Sequence, residues 1–424
     1  SFTNFDVIPT YTLGFSSANT KGLSSGQLPG ISSTDLTNAN GLLALQAGFI
    51  TSAVKAYNVT SPTSGYVSGA PNQKNLQQSN WALYVNDIYR VTRRLTLTLG
   101  LRWEYFTPVN EAQSLYLMPV MADGNYINTM LSDSKLDFAG NSVGRPLYGK
   151  DMNNFGPNIG LAWQPFGDGK AVIRAGYSIN FPNDEFIRSI DNNMGTNSGL
   201  NTTVSLTNQT STVSAGLPQF ATPALKVPRT FSDNFALSPT SAFGMPDPNL
   251  RTPYVQQWNL GVQREMLKGV LEVRYVGNRA TKQFRAFDYN QIEVTGTEYL
   301  ADFKRAQSNG FLAQAATGTF DPRYNGNLSG SQPLTFLTAL PNGGYLTNAT
   351  VRSYIQTGQP GELGSFYQAS RVNGDYSFYR NRFAQGTNVM TNYSNASYHA
   401  GQVDYRRSFS HGYQVQANYT YSKV

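Results

Sequence analysis

The chain has 424 residues, of which 13% are charged and 13% aromatic, and its formal net charge is +7. The absence of Cys excludes disulfide frameworks and thiolate metal sites, and the basic residues form no Lys/Arg run of the kind that binds nucleic acid. A mean hydropathy of -0.37 argues against a bundle of membrane-spanning helices. It is compatible with membrane-spanning strands, because these expose an apolar side chain only at every second position.

Residues 94–106 alternate between apolar and polar side chains, as expected for a strand whose successive side chains point to opposite sides. One face carries Leu95, Leu97, Leu99, Leu101, Trp103 and Tyr105. The other face carries Arg94, Thr96, Thr98, Gly100, Arg102 and Glu104. The pattern predicts a strand long enough to cross a bilayer, with an aromatic pair at the membrane interface. A long strand of a soluble β-sandwich, with its apolar face on a core, is the alternative.

The same alternation predicts strand hairpins over residues 80–106, 154–181, 254–281 and 396–423, each closed by a turn of a few residues. Residues 1–79 are expected to be mostly loop, with a first strand between residues 2 and 15 and a short amphipathic helix within residues 41–57. Its apolar face would carry Leu42, Leu45, Phe49 and Val54. Residues 107–153, 182–253 and 282–395 are expected to be irregular loops, the last with a helix near residues 299–315.

The connections are short at one end of the predicted strands and long at the other. A soluble sandwich has no reason for this asymmetry, whereas an outer-membrane barrel has short periplasmic turns and long extracellular loops. Lipid also cannot satisfy the hydrogen bonds of an open strand edge. We therefore predict an all-β fold, an antiparallel transmembrane β-barrel segment of about eight or nine long strands.

Five segments of the predicted hairpins follow one another along the chain: WALYVNDIYRVTRRLTLTLGLRWE, NNFGPNIGLAWQPFGDGKAVIRAGYSINF, RTPYVQQWNLGVQREM, LEVRYVGNRATK and YHAGQVDYRRSFSHGYQVQANYTYSK. In this order they resemble consecutive barrel strands of TonB-dependent outer-membrane receptors, specifically of the large Oar-like group. The resemblance implies a barrel of about 22 strands closed by a plug, with uptake energised by the TonB complex through a TonB box. The sequence contains no recognisable plug domain or TonB box, so we expect a partial barrel whose TonB contact lies in a missing N-terminal region.

The two histidines, His399 and His411, are predicted to lie near opposite ends of one strand. Strand geometry separates them by roughly 40 Å, so they cannot share a catalytic or metal site. We expect a rim residue and a turn residue, and accordingly no enzyme activity, no cofactor and no metal centre. A Ser-His-Asp arrangement that uses one of them stays open.

The polar faces are predicted to line a lumen through Arg94, Arg102, Glu104, Arg174, Glu272 and Arg274. These charges either compensate one another across neighbouring strands or form an electropositive path that contacts a plug or an anionic ligand. The apolar faces are predicted to contact lipid. Their interfacial anchors would be Trp103, Tyr105, Trp163, Tyr177, Tyr419 and Tyr421, for which sugar stacking is the alternative role.

The leading interpretation is a receptor and transporter barrel of the bacterial outer membrane that binds a polar substrate, such as a glycan or a peptide, through its extracellular loops. Its partners would be outer-membrane lipid and the TonB complex, with no nucleic acid. One alternative is a structural or adhesive surface barrel without active transport. Another is a soluble β-rich carbohydrate-binding protein.

Overall fold

The computed structural model describes residues 8–182, 186–410 and 412–424. Its strands are β1 (Thr10–Leu13), β2 (Ile50–Val59), β3 (Tyr66–Ser68), β4 (Leu76–Gln77), β5 (Asn80–Thr92), β6 (Leu95–Phe106), β7 (Asn110–Glu111), β8 (Tyr116–Pro119), β9 (Lys135–Ala139), β10 (Asn154–Trp163), β11 (Ala171–Asn180), β12 (Asn201–Leu206), β13 (Arg229–Thr230), β14 (Ala242–Pro246), β15 (Tyr254–Met266), β16 (Gly269–Asp288), β17 (Gly386–Ser410) and β18 (Tyr413–Lys423). Its helices are α1 (Ser33–Ala47), α2 (Tyr126–Met130), α3 (Phe186–Met194), α4 (Phe231–Leu237), α5 (Glu298–Thr317), α6 (Phe336–Ala339), α7 (Ala349–Gln356) and α8 (Pro360–Ala369). His411 lies outside the described residues.

The largest sheet has nine strands within these ranges. Strands β5, β6, β10, β11, β15, β16, β17 and β18 follow in chain order, and each pairs antiparallel with the next. Strand β14 lies parallel to the first residues of β17. The antiparallel hairpins predicted from the alternation are confirmed. As described, the sheet has β5 and β18 at its edges and does not close on itself.

Tight turns connect the two strands of each hairpin at one end of the sheet, which we call the turn end. Leu267 and Lys268, between β15 and β16, have φ angles of 52° and 60°, as in the hairpin turns that match the strand twist. Thr92 pairs with Leu95, so Arg94 lies in the turn between β5 and β6 and not on the polar strand face where we expected it. The long connections all leave the opposite end, which we call the loop end.

The strand register places the predicted faces on two continuous surfaces. Leu99 pairs with Asp87 and Ile159, Ile159 pairs with Tyr177, and the alternation continues across every neighbouring strand. We call the surface that carries Leu99 the apolar face and the opposite surface the polar face. The apolar face carries Leu95, Leu97, Leu99, Leu101, Trp103, Tyr105, Trp163, Tyr177, Tyr419 and Tyr421.

The connections at the loop end are not the irregular loops that the sequence suggested. Residues 107–153 and 186–253 contribute β7 to β9, β12 to β14 and α2 to α4, and they share a buried cluster that includes Leu117, Leu136 and Phe243. A second cluster, with Tyr299, Phe303 and Tyr367, is built from α5 to α8. The long connections bury apolar side chains in these clusters and fold around them. The low mean hydropathy of the whole chain gave no indication of these clusters.

Several predicted boundaries were also wrong. The helix expected within residues 41–57 is α1, which begins earlier and ends before Gly48, where a φ of 64° terminates it. Residues 50–59 form β2, which pairs with β1 and β12. Strands β16 and β17 extend past the predicted hairpin limits, to Asp288 and from Gly386, because their outer halves pair with each other inside the loop end. The helix expected near residues 299–315 is confirmed as α5.

Candidate polar channel and its mouth

Charged and amide side chains are connected across the polar face of the sheet. The Arg174 guanidinium donates to Gln263 Oε1 (3.0 Å), and Gln263 Nε2 donates to Glu272 Oε2 (2.8 Å). Arg274 lies 3.7 Å from the Glu272 carboxylate and donates to Gln402 Oε1 (3.0 Å). The ion pair between Arg274 and Glu272 lies within β16, and the glutamines Gln263 and Gln402 link it to the neighbouring strands.

The remaining predicted pair on this face lies within a single strand. Arg102 donates to Glu104 Oε1 (2.7 Å) on the same side of β6. Glycines elsewhere on the face leave room for amide side chains to lie flat on the sheet. A Cβ at Gly100 would come within 2.9 Å of Asn86 Oδ1, and one at Gly176 within 2.9 Å of Asn259 Nδ2. The face thus offers amide donors and acceptors to a polar solute.

Helix α3 lies across the loop end of this polar face. Its first residue, Phe186, packs edge-on against Phe284 of β16 with ring centroids 4.6 Å apart. On its other side Phe186 stacks with Phe106, which lies on the polar face at the end of β6, and with Tyr148 (6.4 and 6.3 Å). Through Phe186 the helix therefore joins β6 of the first hairpin to β16 of the third hairpin above the polar face.

Helix α3 is held in place by contacts with segments distant in sequence. The Tyr116 hydroxyl donates to Asp191 Oδ1 (2.5 Å), and Lys74 Nζ lies 3.7 Å from the same carboxylate oxygen. Burial and the hydrogen bond to the Asp191 carboxylate raise the pKa of Tyr116 well above its usual range. Burial lowers the pKa of Lys74, opposed by the attraction of Asp191. Tyr116 consequently stays a neutral hydrogen-bond donor over the physiological pH range.

The C-terminal half of α3 approaches β14 and β17 at backbone contact. A side chain at Gly244 would collide with the Asn193 carbonyl, so only glycine allows this approach. Asn197, just beyond the helix, donates to the carbonyls of Leu117 and Gly244 (2.7 and 2.6 Å) and accepts the Gly244 N–H (2.7 Å). These hydrogen bonds fix the position of α3 relative to the loop end of the sheet.

A cavity of about 380 Å³ lies between α3 and the outer halves of β16 and β17. Most of the residues that line it are polar or small. Phe284 and Met390 add aromatic and aliphatic surface. The lining residues are Ser189, Asn192, Asn193, Thr196, Phe284, Arg285, Ala286, Asn388 and Met390. Asn193 donates to the Asn388 carbonyl (3.2 Å), while its Oδ1 atom is buried without a hydrogen-bond partner among the described residues.

The polar atoms of aromatic residues on the apolar face form hydrogen bonds near the loop end. Trp103 Nε1 donates to the Met152 carbonyl (2.7 Å), and the Tyr177 hydroxyl donates to Gln256 Oε1 (3.0 Å). Tyr275 and His399 share a hydrogen bond of 2.7 Å on this same face. His399 was expected at the rim and lies instead beside aromatic rings of β15 and β16. Trp163, Tyr419 and Tyr421 are exposed.

The predicted site residues therefore divide into two sets. Gln263 links Arg174 to Glu272, and Glu272 lies 3.7 Å from Arg274, whereas Arg102 and Glu104 pair apart from them. The residues of the α3 cavity were not predicted. A signal was available, because Phe186, Ile190 and Met194 recur at helical spacing and are buried, but residues 182–253 were interpreted as loop.

Neither a helical membrane anchor nor a metal cluster emerges from the described chain. Among residues 8–182, 186–410 and 412–424, no helical segment has the length and hydropathy needed to span a bilayer. Within the same ranges, no three His, Asp or Glu side chains are grouped so that they could hold a metal ion.

Residues 15–424 match the model of a protein family described as outer membrane beta barrel domain. The chain belongs to that family. It is accordingly a protein of the bacterial outer membrane, and the soluble alternative is wrong. No curated protein matches the chain in sequence.

The solved structures that match the chain include two receptors and a transporter. The siderophore receptor PirA from Pseudomonas aeruginosa is 11% identical, with 88% of this chain and 46% of that one covered and a TM-score of 0.29. The outer membrane transporter YddB from Escherichia coli is 9% identical, with coverages of 88% and 39% and a TM-score of 0.33. A mutant of the ferric enterobactin receptor PfeA from Pseudomonas aeruginosa is 9% identical, with coverages of 91% and 46% and a TM-score of 0.32. This chain spans less than half the length of each.

Proposed function

We propose that this barrel domain is part of a TonB-dependent, Oar-like receptor that binds a neutral polar oligomer, a glycan or a peptide, and imports it without chemical conversion. The resemblance of its strands to those of Oar-like receptors and its membership of the outer-membrane barrel family support the proposal. TonB would energise the import through a region outside this chain.

The observation that carries the proposal is the α3 cavity. It lies at the loop end, where a substrate arriving from outside the cell would enter, and above the polar face. Asn192, Asn193 and Asn388 line it, together with Ser189, Thr196 and the cation Arg285. Amides bind sugar hydroxyls and peptide groups equally well, because both supply donors and acceptors without charge.

The test fills the cavity from its exposed side. Asn192→Trp places an indole in the cavity, whereas Ile187→Trp adds the same group to an exposed position of α3 that does not line it. Cells that produce the protein would be given fluorescent starch, xylan and β-glucan oligomers and casein peptides. We expect uptake of at least one probe, a loss of about tenfold in its binding for Asn192→Trp, and no change for Ile187→Trp.

The same cells without TonB separate transport from adhesion. Import requires that the internalised signal disappears without TonB while surface binding persists. An adhesive surface barrel would instead bind to cells or matrix, and neither Asn192→Trp nor the loss of TonB would change that binding. The helical lobe of α5 to α8 favours that second candidate, because it has a buried cluster of its own and does not line the α3 cavity.

A further inference from the structure

A second cavity opens at the loop end of the apolar face, apart from the α3 cavity. It has a volume of about 260 Å³. Its walls combine aromatic and aliphatic side chains of β10, β11 and β15 with amides and one cation. The lining residues are Asn153, Asn154, Phe155, Ile179, Phe181, Thr252, Tyr254, Gln256 and Lys282. Phe155 is 53% exposed, and the rings of Phe181 and Tyr254 lie 5.9 Å apart.

The register assigns this cavity to the membrane side of the sheet. Phe155 pairs with Trp103 of the apolar face. Ile179 lies two residues from Tyr177 on that same face and pairs with Gln256. The cavity therefore lies where the apolar face meets the loop end, at the level of the aromatic tips that hydrogen-bond there. In an outer-membrane barrel this level corresponds to the headgroups of the outer leaflet.

Positive charge is concentrated beside the cavity. Lys282 Nζ lies over the Tyr254 ring, 5.5 Å from its centroid. Arg279 is exposed and pairs directly with Gln256, so it shares the face and the edge of the cavity. No acidic residue is among the described lining residues, and the nearby Asp151 carboxylate is taken by Arg251 (3.2 Å) and by the Thr252 N–H (2.8 Å).

The backbone at Lys282 deviates from regular strand geometry in a way that serves this arrangement. Its φ is 59°, and the pairing of β16 with β17 shifts register between Ala280 and Gln283. Such a bulge redirects the side chain of the residue that it contains. A left-handed φ is uncommon for lysine, and with this backbone the side-chain Nζ of Lys282 lies over the Tyr254 ring at the cavity.

We propose that this cavity binds the phosphorylated headgroup of an outer-leaflet lipid, with Lys282 and Arg279 on the phosphate and Phe155, Ile179 and Phe181 on the adjoining hydrocarbon. The cations lie next to an apolar wall here, as the phosphate of an anionic lipid lies next to its hydrocarbon chains. A free phosphate would leave the aromatic wall without a role. The proposal rests on contact of the apolar face with lipid and is independent of the transport proposal.

The test measures lipid binding to the full chain, purified in a non-ionic detergent, by native mass spectrometry. The probes are bis-phosphorylated lipid A, the same lipid without its phosphates, and inorganic phosphate. The variant is Lys282→Gln combined with Arg279→Gln. Arg274→Gln is the control for a general effect of lost positive charge, because it removes one cation from the polar face of the same strand.

We expect the unaltered protein to bind bis-phosphorylated lipid A about tenfold more tightly than the dephosphorylated form, and the double variant to lose this preference. Arg274→Gln should retain it. Phe155→Ala, which leaves both cations in place, should weaken the binding of both lipids by the same factor. If the double variant misfolds, Phe155→Ala and the conservative Lys282→Arg still test the site, because Lys282→Arg should preserve the preference.

Three outcomes would overturn the proposal. The first is equal affinity for the two lipids, and the second is an unchanged preference in the double variant. The third is displacement of lipid A by millimolar inorganic phosphate together with no effect of Phe155→Ala, which would indicate a phosphate site without a lipid component. None of these outcomes bears on the α3 cavity.

Discussion

Neighbouring residues on one strand have different surroundings in this protein because alternate side chains point to opposite faces. Leu99 is 45% exposed on the apolar face, in a surface that also exposes Leu101, Ile159, Leu260 and Val262. A soluble monomer rarely exposes so extended an apolar surface, so lipid is its natural environment. Thr98, one position earlier, faces the polar side beside Gly160.

We therefore expect Leu99→Arg to destabilise the folded barrel by about 2–4 kcal/mol if it lies near the bilayer midplane, and Thr98→Arg to cost much less. The free energies would come from denaturant titrations of the protein in lipid vesicles, followed by tryptophan fluorescence. Equal costs for the two substitutions would show that the faces are assigned wrongly.

At the scale of elements, α3 is the helix that makes the loop end an ordered structure and not a set of separate loops. Phe186, Ile190 and Met194 lie one turn apart and are buried against strands from different hairpins, and Asp191 reaches Lys74 and Tyr116. The helix is short, so its stability comes from these contacts and not from its own propensity.

Removing the Phe186 ring should accordingly release α3. Phe186→Ala deletes contacts with Phe284, Phe106 and Tyr148, and we expect a local destabilisation of about 3–5 kcal/mol. Amide hydrogen exchange of α3 should accelerate while β5 and β6 remain protected. Ile187→Ala, at an exposed position of the same helix, is the control. Unchanged exchange in the Phe186 variant would mean that α3 does not depend on this packing.

For the whole molecule, the separation of turns from long connections fixes its orientation. The hairpin turns lie at one end of the sheet, and the folded connections lie at the other. In outer-membrane barrels the short turns face the periplasm, so we expect α3 and the helical lobe to lie outside the cell.

Single cysteines test this orientation directly, since the chain has none of its own. Ser329→Cys, in the connection between β16 and β17, should react with a membrane-impermeant maleimide on intact cells. Asp168→Cys, in the turn between β10 and β11, should react only after the outer membrane is permeabilised. The reverse pattern, or labelling of both on intact cells, would contradict the assigned orientation.

The sequence alone determined the hairpins, their order and their two faces, because alternation in strands is a local property that each stretch carries by itself. Only the tertiary structure decided what the long connections do. The pairing of β14 with β17, the contact of Asp191 with Lys74 and the α3 cavity join segments far apart in the chain. The helical spacing of Phe186, Ile190 and Met194 could have predicted the helix α3 itself, but not the segments that it contacts, because a contact between distant segments leaves no periodic trace in either of them.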